Sequence, residues 1–167
     1  MAEVSIYVAA ITAAAGIIGA VIPQAAIVLR DVRRAERDRQ ERFLASTRDA
    51  CVELLRAAGE LRTCVQNIHS YRGDAAGLRT RLEEVRADAA ATQLHAAWVG
   101  LLVPDRLAAP ADQLVDAASK LADAVEQNAD VDHGVMVGKP DVSQLDMCVA
   151  TFRAEALSYA GGPTPPQ

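Results

Sequence analysis

Three cysteines (Cys51, Cys64 and Cys148) and three histidines (His69, His95 and His133) are the residues best suited to nucleophilic, redox or metal chemistry in this chain. Their spacing supports none of it. The cysteines form no paired motif, and in a reducing cytoplasm they are expected to be free thiols. A zinc site needs clustered Cys or His ligands, and the histidines lie far apart with no carboxylate at ligand spacing on one helix. The run Gly134-Val135-Met136-Val137-Gly138-Lys139-Pro140 has the outline of a phosphate loop. It holds three residues between its glycines where four are needed, and Pro140 stands where a magnesium-binding Ser or Thr belongs. Asp130, Asp132 and Asp141 outline a calcium loop, but its glycine comes at the fifth position and the closing Glu is missing. A weak ion site over 129–140 stays open. The expectation is a protein without catalytic, cofactor-binding or metal-ligating residues, and not an enzyme.

The elements that carry these residues are helical by composition. Of 167 residues 51% are hydrophobic and only 4% aromatic, because 34 are alanine, which favours helix. Few β-branched or aromatic residues occur after position 30, which excludes an all-β domain; a collagen-like chain and a disulfide scaffold are excluded on composition too. A net charge of −5 argues against nucleic acid as a partner, and no small-molecule substrate is indicated.

The hydrophobicity is uneven. Val4 to Leu29 is a run of 26 uncharged residues containing six Ile and four Val. As a helix it would be about 39 Å long, against a hydrocarbon core of about 30 Å. No basic region precedes it and it is too long for a signal peptide core, so a retained transmembrane helix is expected over 4–29. Arg30, Arg33, Arg34 and Arg37 lead the arginine-rich stretch that follows, and only Glu3 is charged before it. Positive flanks stay inside. The expected topology is a short external N-terminus at 1–3 and a cytoplasmic bulk, in the plasma membrane. Ala9, Ala13, Gly16 and Ala20 fall on one side of this helix and would let two anchors pack closely in lipid.

Residues 30–42 mix six arginines with four acids, with Arg34–Asp38, Arg37–Glu41 and Asp38–Arg42 at four-residue spacing. They read as a charged juxtamembrane stalk. A helical seam then begins: Leu44, Cys51, Ala58 and Val65 recur every seven residues, interleaved by Thr47, Leu54, Leu61 and Ile68. Further helices are expected over about 75–102, then up to about Asn128, and over 141–160, with Asp141 or Ser143 as cap. Pro104 and Pro110 mark one connection, and 129–140 another. Ala89 to Val103 is a second uncharged run, too short to span a membrane; it reads as the buried end of its helix, with Trp98 in the core. Residues 161–167 read as a disordered tail. The whole predicts an all-α antiparallel bundle of three to four helices over 43–160. Its alanine-rich core is small enough to call for completion by a protein partner or a second copy.

An anchor followed by a charged helical stalk, over residues 1–70, resembles the plan of the peripheral-stalk b subunit of rotary ATP synthases. The breaks at Gly73, Pro104 and Gly134 depart from an uninterrupted stalk. The leading expectation is a single-pass membrane protein with a cytoplasmic protein-interaction or scaffold module. The resemblance implies instead an accessory subunit of a membrane transport or energy-coupling complex. A small phage- or defence-type membrane effector is a further alternative.

Overall fold

A computed structural model of the chain describes the backbone of residues 2–161 and the side chains of residues 30–160. The fold is all-α. Four helices, α1 (Ala2–His69), α2 (Ala75–Leu102), α3 (Ala108–Gln127) and α4 (Ser143–Gly161), follow in order, with β1 (Ala129–Asp130) and β2 (Val135–Met136) between α3 and α4. The anchor expected over 4–29, with its strip Ala9, Ala13, Gly16 and Ala20, lies outside the described side chains, and the expected tail lies outside the described residues from 162 onward. Among the described residues no helix is long and apolar enough to cross a membrane.

The chain divides into two compact units, Met1–Phe43 and Leu44–Gln167. In the first, every described side chain from Arg30 to Phe43 is exposed, including Arg30, Arg33, Arg34 and Arg37. None of the three expected four-residue pairs closes as an ion pair among the described residues. Isolated exposed pairs of long side chains gain little against the entropy of holding them together.

The second unit is a four-helix bundle built from the 44–69 part of α1 and from α2, α3 and α4. Cys51, Leu54, Ala58, Leu61, Val65 and Ile68 of α1 are all buried in its core, joined by Leu78, Val85 and Val99 of α2, Leu114 and Val125 of α3, and Leu145 and Phe152 of α4. Leu44, the first residue of the predicted seam, is instead 51% exposed, and Thr47 is the first seam residue in the core. α2 packs on α3 and α3 on α4. Arg62 of α1 meets Asp146 of α4 at 2.8 Å, and Arg86 of α2 is paired with Glu126 of α3. Each pair joins residues nearer the same end of the bundle, so α1 runs antiparallel to α4 and α2 to α3. Alanines at 57, 58, 96, 111, 117, 118 and 122 are all buried, and small residues at these contacts let the helix axes approach closely.

Local chemistry sets the boundaries. Asp74 caps α2: its Oδ1 accepts from the Gly77 N–H at 2.8 Å, and its backbone is extended as an N-cap requires. Pro110, predicted to lie in a connection, sits in the first turn of α3, where a missing N–H leaves no intrahelical bond unmade. Before α4, Asp141 Oδ1 accepts from the Ser143 N–H at 2.9 Å. The predicted loop at 129–140 contains a two-residue antiparallel ladder pairing Ala129 with Met136 and Asp130 with Val135. Val135 also bridges to Arg72 in the α1–α2 turn, which zips the two connections at this end together. Gly134 makes the approach possible. Its φ of +65° belongs to the left-handed region, and a Cβ there would lie 2.6 Å from the Gly73 carbonyl oxygen.

Candidate interaction surfaces

The residues with chemical potential are dispersed. Cys51 is buried and Cys64 and Cys148 are half-buried, all three as free thiols. Burial, reinforced by the nearby carboxylates of Asp88 and Glu84, pushes the Cys64 thiol up to about 11, away from nucleophile chemistry at neutral pH. Among the described residues no three His, Cys, Asp or Glu side chains come together as metal ligands. In the α3–α4 connection, His133 Nδ1 sits 2.8 Å from Asp130 Oδ2. The contact holds the imidazole pKa above its ordinary value and the Asp130 carboxyl below its own. Both side chains face solvent, and Asp130, Asp132 and Asp141 do not form a cation cage.

Among the described residues two apolar surfaces stand out. The first is a groove of about 530 Å³ between the start of the bundle segment of α1 and the end of α4. Leu44, Val52 and Leu55 line one wall, and Ala156, Leu157 and Tyr159 the other. Val52 is 54% exposed and Leu157 64%, unusual for large apolar side chains on adjacent helices. Arg48 and Arg153 stand on its rim, and neither makes an ion pair among the described residues, whereas Arg56, Arg62, Arg81 and Arg86 all do. The exposure of Leu44 therefore has a structural meaning: beyond Thr47 the seam leaves the core and enters this groove.

The second surface is the outward face of α2. Trp98, predicted to be in the core, is 57% exposed, and Leu94 and Leu101 are 66% and 74% exposed. Only one side of the 89–103 run is inside, through Thr92, Ala96, Val99 and Val103. The correction has a simple cause. An uncharged stretch offers no polar face to point outward, so its lack of charge cannot say which side the neighbouring helices cover.

Val52, Leu157, Tyr159 and the rim arginines were not singled out from the sequence. They come from helices far apart in the chain, and only the closing of α4 against α1 brings them together. Compared with protein-family models, curated proteins and solved structures, the chain matches none of them.

Proposed function

We propose that this chain is a single-pass, membrane-anchored interaction module whose cytoplasmic bundle holds an acidic amphipathic helix of a partner protein between α1 and α4. The 26 uncharged residues from Val4 to Leu29, followed at once by Arg30, Arg33, Arg34 and Arg37, support the anchor and its orientation. The observation that carries the docking role is the groove itself: an apolar floor with Arg48 and Arg153 on its rim. A helix with leucines on one side buries them in such a groove, and flanking glutamates meet the arginines.

The full chain in phosphatidylcholine nanodiscs should bind a synthetic amphipathic helix with a leucine face and glutamate flanks saturably. Combining Arg48→Glu with Arg153→Glu should weaken binding at least about tenfold, the effect of losing one to two charge contacts. Absent binding, or binding indifferent to this reversal, contradicts the docking role. For topology, an impermeant maleimide should leave Cys148 unlabelled in intact cells and label it after lysis and mild denaturation. Labelling before lysis contradicts the orientation.

One observation favours a second reading, the accessory stalk-like subunit: α1 is a single helix from Ala2 to His69. That reading predicts stoichiometric co-purification with a multisubunit membrane complex in mild detergent. Recovery of the chain alone counts against it.

A further inference from the structure

The outward face of α2 carries a pattern of its own. Ala87, Ala90, Leu94, Ala97 and Leu101 recur at alternating intervals of three and four, and all are exposed. The helix also has an inner seam of the same period, Leu78, Leu82, Val85, Thr92, Ala96 and Val99, buried against its neighbours. The two seams are offset by five residues, which turns the outer one about 140° away from the core. A seven-residue repeat of apolar residues is what helix-on-helix packing requires, and among the described residues the outer one is left exposed.

We propose that this face is a self-association surface, covered by α2 of a second copy lying antiparallel across a two-fold axis. The alternation of large and small residues selects that arrangement. With the axis between His95 and Ala96, Leu94 falls opposite the partner's Ala97 and Leu101 opposite the partner's Ala90, so each large side chain enters the space an alanine leaves. A parallel pair would set leucine on leucine and alanine on alanine, with gaps at the alanines. Every contact is made twice, as an isologous interface requires.

Leu94, Trp98 and Leu101 are 66%, 57% and 74% exposed, a small contiguous apolar patch of the kind that marks interaction sites. A standard interface covers about 800 Å² per partner, so the dimer is weak and concentration-dependent. The surface lies on a different helix from the α1–α4 groove, and the inference depends on neither the anchor nor the groove.

The test uses the full chain in detergent micelles. Light scattering should show a protein mass that doubles with rising concentration. Leu94→Glu, with unchanged circular dichroism, should remain monomeric over the same range, a loss of at least about tenfold in self-affinity. For the register, the native cysteines are replaced by alanine and oxidation is followed on gels. The double variant Ala90→Cys with Leu101→Cys should form covalent dimers. Leu101→Cys alone should not, because its two copies would be about 16 Å apart along the axis, beyond disulfide reach. A monomer at all concentrations, unchanged self-association in Leu94→Glu, or ready cross-linking of Leu101→Cys alone would each overturn the proposal; the second would also locate association elsewhere, as in the anchor.

Discussion

The seam of α1 from Leu54 to Ile68 and the outer seam of α2 from Ala87 to Leu101 share a seven-residue period but meet opposite environments. Leu54, Leu61 and Ile68 are fully buried, whereas Leu94 and Leu101 keep 66% and 74% of their surface. The difference is not in hydrophobic character. The 44–69 part of α1 lies against α2 and α4, and α2 lies against α1 and α3 through its Leu78–Val99 side, with its outer seam turned away from both. Periodicity marks where a helix can pack, and the direction in which its neighbours lie decides which stripes are used. Stripes left over are where an external helix can be accommodated, at the α1–α4 groove as well as on α2.

The comparison breaks or sharpens first on stability. Leu61→Ala should cost about 3 kcal/mol, a lost side chain plus a cavity, while Leu94→Ala at low protein concentration should cost less than about 0.5 kcal/mol. Urea denaturation of the two variants reads this directly, and equal losses would erase the distinction between the seams. Cys64 tests the α1–α2 contact next. With its thiol raised to about 11, alkylation by iodoacetamide at pH 8, followed by peptide mass mapping, should run on the order of a hundredfold slower than at an unperturbed thiol. A normal rate would mean that α1 and α2 do not close over this position.

Smaller effects belong to the loop end. Gly134→Ala forces a side chain into left-handed backbone against the Gly73 carbonyl, and should destabilise the bundle by more than about 1 kcal/mol. An unchanged midpoint would show that the zipped connections contribute nothing. The smallest effect concerns His133 and Asp130. The raised His133 pKa adds stability below its unfolded value of about 6.5, lost as pH rises through the folded value; the lowered Asp130 pKa adds stability above about 3.9, lost as pH falls through its folded value. The pair therefore helps most between those limits. An NMR titration should place His133 above 6.5, and Asp130→Asn should return it to the ordinary range.

The helices themselves were legible because their signals are local. The break at Gly73 marks the boundary between α1 and α2, and the seven-residue repeat that begins at Leu44 marks the buried side of α1 from Thr47 onward. Pro110 misled because the same residue that interrupts a helix interior fits its first turn. The β1–β2 ladder was missed because two-residue strands carry no period, and Val135 pairs partly with Arg72, more than sixty residues away. Trp98 was misplaced for the reason that makes it informative: large apolar residues are usually buried by their own chain, and here the described residues leave it 57% exposed. The groove was not legible, since Val52 and Leu157 meet only through the closure of the bundle.

The fluorescence of Trp98 tests the central claim most directly, because it is the single tryptophan of the chain and borders the outer seam of α2. The account predicts red-shifted emission, readily quenched by iodide, in dilute protein. As concentration rises, emission should move to the blue and quenching should fall, and neither change should occur in Leu94→Glu. Blue, unquenchable emission at every dilution would return Trp98 to the core of its own bundle, and red emission at every concentration would leave the outer seam uncovered; either result contradicts the account.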